Sequence, residues 1–111
     1  MPRGKSKDGL TKTQFYRTWY KMINRCANPK WRNYKYYGGR GITVSQDWLS
    51  YDNFENDMID TFADHVEDFG FGHNTSIERI NNDGGYFKEN CKWATQQEQC
   101  KNRGGQFALK L

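Results

Sequence analysis

Long apolar runs are missing from this sequence of 111 residues. Nothing in it approaches the roughly 18–20 consecutive apolar residues that a membrane-spanning helix needs, and the opening MPRGKSKDG lacks the apolar stretch of a secretion signal. A soluble, cytoplasmic protein with no membrane partner is therefore expected. Cysteine is scarce and odd in number: Cys26, Cys91 and Cys100 stand far apart. Without a secretion signal they are expected as free thiols rather than as a disulfide framework. The paired CxxC or HxxxH spacing of structural zinc is lacking as well, because His65, His73, Cys91 and Cys100 do not fall into ligand pairs, so no zinc is expected. With no heptad and no nucleotide-binding glycine loop, a monomer that does not use ATP is the default.

Aliphatic side chains are few, yet Phe, Trp and Tyr make up 16% of the chain against an apolar total of 35%. Rings must supply much of the core, which one domain of about 100–150 residues requires. Charge is segregated rather than absent. Residues 1–40 hold eleven Lys/Arg against one Asp, residues 41–73 hold eight Asp/Glu and no Lys/Arg, and residues 74–111 hold six cations against four acids, leaving a net charge of +4. Such a dipolar chain presents a basic end that attracts phosphate.

Periodicity divides the chain into α+β elements. Residues 1–10 are basic and without a stripe, and are expected as a flexible arm before a single domain at 11–111. Phe15, Trp19, Met22, Ile23 and Cys26 fall on one helical face, predicting a helix over about 12–27 opened by a Thr11–Gln14 capping box and leaving Lys12, Arg17, Lys21 and Arg25 largely off the apolar stripe. PKWRNYKYYGGRG reads as an ordered loop of rings and cations, with Ile42, Val44 and Trp48 suggesting a short strand after it. An Asp52–Glu55 capping box opens a second, acidic helix running to about His65, on which Asp57, Asp60 and Asp64 are expected as plain surface. Ser76 to Ile80 and Cys91 to Thr95 read as strands flanking a turn-rich loop. Thr95 and Glu98 cap a closing helix to about Arg103.

A strand, loop, strand and helix in that order suits a single hydrolytic metal beside a base. The stretch IERINNDGGYFKENCKWATQQEQCKNR resembles the HNH group of nucleases, also called His-Me finger or ββα-metal enzymes. The wider run of motifs, YKMINRC, NYKYYGGRGITV, DWLSYDNFENDM, ERINNDGGY, ENCKWAT and NR, is similar to phage-encoded homing-endonuclease-like proteins of that type over about residues 14–103. The resemblance implies a ββα unit at about 75–103, with Glu78 and Gln99 holding a divalent metal, magnesium or manganese. It places Arg79 in the paired position as a catalytic phosphate contact and Asn90 as the brace of the loop. Arg79 stands where the family has its general-base His, and a guanidinium does not accept a proton from water near neutral pH. His73 and Tyr86 are remote alternatives for that role. Such a protein would work in the host-cell cytoplasm.

Duplex DNA is the expected partner, contacted by Arg32, Lys35, Tyr36 and Arg40 in the ring-and-cation loop and by Lys92, Lys101 and Arg103 in the hairpin and closing helix. Two functions follow: a metal-dependent endonuclease that cuts or nicks DNA, or an inactive scaffold of the same kind that binds DNA or inhibits a host protein. For the second, the acidic region 47–68 is the candidate contact with that protein.

Overall fold

A computed structural model describes residues 5–100, with side chains from residue 12 onward. It is a mixed helix and sheet structure built of α1 (Lys5–Ala27), α2 (Tyr51–Phe69) and an antiparallel pair, β1 (Ser76–Arg79) and β2 (Cys91–Ala94). Residues 96–100 are helical after β2. Short 3-10 turns fill the connections at Tyr34–Tyr36, Gly38–Arg40, Gln46–Leu49, Gly72–Asn74 and Lys88–Asn90.

The first helix starts earlier than its stripe indicates. It begins at Lys5 and takes in much of the stretch expected as a free arm. Thr11 accordingly lies inside the helix, and Gln14, expected as its capping partner, sends its carboxamide to a distant turn instead. At the other end Asn28 donates its backbone N–H to Asn24 at 2.8 Å, and Pro29 cannot continue the ladder.

In α2 the cap is Ser50, whose hydroxyl accepts from the backbone N–H of Asn53 at 3.4 Å, and not Asp52. The buried stripe Phe54, Met58, Phe62 and Val66 carries the helix past His65 to Phe69, where Gly70 ends it with φ of 97°. A side chain disfavours that left-handed region and glycine does not. The strand expected at 42–48 does not form: Val44 makes one isolated parallel bridge to Tyr86, and the chain then turns into Gln46–Leu49.

Rings do build the core. Phe15 of α1 stacks on Phe54 at 4.8 Å and meets the edge of Phe62 at 5.2 Å, while Trp48 meets Phe54 at 4.9 Å. Each such ring, fully buried, stabilises the fold by roughly 2–3 kcal/mol. The indole N–H groups that reach into this core are satisfied. Trp48 donates to Asp57 at 2.8 Å, so that carboxylate is an anchor and not plain surface; Trp19 donates to the carbonyl of Trp48 at 2.8 Å.

A two-stranded hairpin is marginal alone. Here Trp93 fixes it to α2, packing on Phe62 at 4.8 Å and donating its indole N–H to Thr61 at 3.0 Å. Thr95 and Glu98 then exchange side-chain-to-backbone hydrogen bonds at 2.8 and 3.1 Å, the reciprocal cap that starts the closing helix. No helix among the described residues is long and apolar enough to cross a membrane.

Burial separates the three thiols. It pushes Cys26 up to about 11 and Cys91 up to about 12, while Cys100 is exposed. A thiol reagent reacts through the thiolate. At pH 8 the native protein is expected to release one rapid equivalent of chromophore from an aromatic disulfide reagent, and all three after denaturation. Rapid release of two or more equivalents from the native protein would contradict the burial of Cys26 and Cys91.

Candidate nucleic-acid interface

Between α1 and the hairpin lies a cleft of about 660 Å³. One wall is the α1 strip Thr13, Arg17, Lys21 and Arg25, spaced four residues apart and therefore on one side of the helix. The opposite wall is β1, with Glu78 and Arg79, joined by Gln99 from the closing helix and His73 from the Gly72–Asn74 turn. Gln99 donates to the Ile77 carbonyl at 3.5 Å, which lays the closing helix back on β1.

Gln14 holds the two walls together. Its amide nitrogen donates to the carbonyls of Gly72 and Thr75 at 3.1 and 3.0 Å, and its oxygen accepts from the Gly72 N–H at 2.8 Å. Behind the turn Thr75 gives its hydroxyl proton to Gly70, so the 2.7 Å contact from His65 Nδ1 requires that nitrogen to be the donor. Burial lowers the His65 imidazole below its ordinary value, consistent with a neutral ring there.

The floor is a stack of cations and phenols. The Arg79 guanidinium lies 5.3 Å from the ring centres of both Tyr37 and Tyr86, and Arg25 lies 4.9 Å over Tyr37. Arg25 also donates to the Tyr86 hydroxyl at 3.2 Å. Arg79 is 8% exposed and gives one guanidinium nitrogen to the carbonyls of Asn82 and Gly84, the second at 2.9 Å. Burial raises the Tyr86 phenol above its ordinary value despite Arg25 beside it, so Tyr86 stays protonated near neutral pH and does not serve as a base.

Asn90 is buried and makes the loop's internal bonds. It accepts from the Asn81 N–H at 2.9 Å and donates to the carbonyls of Asn81 and Gly85 at 3.2 and 2.8 Å. A Cβ on Gly84 would come within 2.9 Å of that amide, which explains the glycine.

The other expected contacts lie elsewhere. Arg32, Lys35 and Tyr36 are exposed outside the cleft, with Lys35 5.1 Å over the Tyr36 ring. Arg40 is partly committed, pairing with Asp83 at 3.0 Å and with the Asn82 carbonyl at 3.4 Å. Lys92 is exposed on β2 opposite Glu78 and is not in the lining. Lys101 and Arg103 lie outside the described residues.

No family model, no curated protein and no solved structure matches this chain. Function must be argued from the cleft itself.

Arg17, Lys21 and Arg25 are legible in the sequence as a basic helix face, but the density of rings and cations at 29–41 draws the expected contacts to the loop. Their four-residue spacing is the signal that they form one strip. Gln14 and Tyr37 carry no comparable signal, because their partners are distant in sequence.

The lining holds one carboxylate, Glu78, and none from the acidic region 47–68. No group of three His, Cys, Asp or Glu able to hold a metal occurs among the described residues. Glu78 and Gln99 line the same cleft, but two such oxygens are not a cage: a hard divalent cation there would have to bring most of its ligands as water and phosphate oxygens.

Proposed function

We propose that this protein binds nucleic acid, duplex DNA in the first instance, by seating a phosphodiester backbone in the cleft between α1 and the β1–β2 hairpin. The observation that carries the reading is the lining itself: Arg17, Lys21, Arg25 and Arg79 against Glu78 alone. Cations converging on a groove with low-dielectric walls focus a positive potential and recruit polyanions. The acidic α2 contributes nothing to this lining, so carboxylate repulsion does not oppose the ligand there. The hairpin and closing helix are read as an HNH-like ββα unit, used as a rigid support for the cationic floor. A cytoplasmic setting and a monomeric state belong to the same proposal.

Cleavage is the second reading, favoured by one further observation. His73, Glu78 and Gln99 line the same cleft as the cations. In that reading Glu78 and Gln99 would hold magnesium or manganese together with substrate, and the metal would supply charge to stabilise the phosphoryl oxygens. His73, in the same lining, is the candidate to accept a proton from water, and Arg17 and Lys21 would hold the phosphates.

A supercoiled plasmid separates the readings. Retarded mobility in a gel shift, with no open circles in either metal, is the expected result of binding alone. Open circles that need a divalent metal and vanish in Glu78→Ala, while the gel shift persists, would establish cleavage. No shift at low salt would end both.

A further inference from the structure

The exposed face of α1 beside the cleft carries rings where a solvated helix carries polar groups. Tyr16 and Tyr20 are 46% and 49% exposed. Their rings stack on each other at 6.5 Å with an interplanar angle of 22°, and Tyr20 meets Trp31 at 6.0 Å. Tyr51 continues the row, 5.1 Å from Tyr16. Only part of each tyrosine is needed for the fold: Phe15, Met22 and the half-buried Trp19 and Ile23 already supply the core face of α1.

Charge chooses the occupant of this row. Each exposed tyrosine is followed directly by a cleft cation, Arg17 after Tyr16 and Lys21 after Tyr20, and Trp31 is flanked by Lys30 and Arg32. One turn of helix therefore presents a phosphate-binding cation and, next to it, a flat amphipathic ring. Tyr, Trp and Arg also suit protein interfaces, but Arg17, Lys21, Lys30 and Arg32 beside these rings favour a ligand that carries phosphate at every step. A strand with unpaired bases offers phosphates at regular intervals and a flat π-face beside each, and aromatic side chains along a cationic groove are how such strands are held without sequence preference.

We infer that Tyr16, Tyr20 and Trp31 form a stacking platform for unpaired bases, so that the preferred ligand is DNA with a single-stranded segment rather than an unbroken duplex. This rests on the phosphate-binding reading of the cleft and narrows its substrate class. The backbone runs over Arg17 and Lys21, and the freed bases turn outward onto the rings.

The test is fluorescence anisotropy on the full chain with three labelled DNAs: a single strand, the blunt duplex, and the duplex bearing a single-stranded tail. Tailed and single-stranded DNA should bind more tightly than blunt duplex. Tyr16→Ala with Tyr20→Ala should weaken the first two by about 10-fold or more. Blunt-duplex affinity should stay within about twofold in that variant, since a paired duplex keeps its bases stacked. Tyr16→Phe with Tyr20→Phe keeps the rings and should keep the affinity; thermal melting verifies that each variant is folded. Quenching of tryptophan emission by single-stranded DNA should drop in Trp31→Phe. An alanine pair that changes no affinity, or lowers all three equally, overturns the platform and leaves duplex binding standing. Sedimentation showing a wild-type dimer that the alanine pair makes monomeric also overturns it, giving the row to a second copy of the chain. If none of the three DNAs binds at low salt, the phosphate-binding reading itself has failed.

Discussion

Arg79→Ala should cost the domain its stability, not merely an activity. The guanidinium is 8% exposed, bonded to the carbonyls of Asn82 and Gly84 and 5.3 Å from the ring centres of both Tyr37 and Tyr86. Removing it deletes charged hydrogen bonds worth about 1.5–3 kcal/mol each and takes from the Gly84 carbonyl its guanidinium donor. A loss of about 3–5 kcal/mol follows, and a domain of this size shifts its melting temperature by roughly 4 °C per kcal/mol or more. Thermal unfolding followed by circular dichroism should fall by about 12–20 °C. Arg79→Lys should recover only part of the loss: one nitrogen serves both carbonyls, which an ammonium can also do, but it has no flat face to lie over the two rings. A melting temperature unchanged in Arg79→Ala would show that the residue serves only a ligand, and the description of the cleft floor would be wrong.

Reversing the α1 strip should have the largest effect on binding. Arg17→Glu with Lys21→Glu replaces two exposed cations of the cleft wall and touches no core residue. Deleting two charged hydrogen bonds to phosphate, at about 1.5–3 kcal/mol each, predicts a fall in affinity of roughly 100-fold or more. The slope of log affinity against log salt should flatten by about 2, one for each phosphate that is no longer neutralised. Lys35→Glu with Lys92→Glu, outside the cleft, makes the same charge change and should reduce affinity by less than about 10-fold, through the general field alone. Equal reductions in the two pairs would mean that net charge, not the cleft, governs binding.

How much of this is written in the sequence differs by element. The stripe Phe54, Met58, Phe62 is legible because its spacing is local, as are the two strands and the Thr95–Glu98 cap. The cleft is not, because its parts come from positions about sixty residues apart. Gln14 sits where a capping partner would sit relative to Thr11, and no local rule shows that its carboxamide is taken by Gly72 and Thr75. Its place in the Glu-Arg pair suggests a ligand contact for Arg79. The alternation of β1 holds a better signal, since Arg79 shares the buried face with Ile77 while Glu78 lies on the other. Parity separates Arg79, which the fold buries, from Glu78, which stays partly exposed. The early start of α1 is invisible because residues 5–10 carry no apolar stripe for the periodicity to register.

The grip of Gln14 on the Gly72–Thr75 turn has a kinetic meaning. One carboxamide holds donor and acceptor together across the groove, so its aperture is set while the chain folds and hardly adjusts to what enters. A receptor finished in advance loses little freedom on capture. For the proposed phosphate ligand, added salt should therefore slow arrival more than it hastens departure.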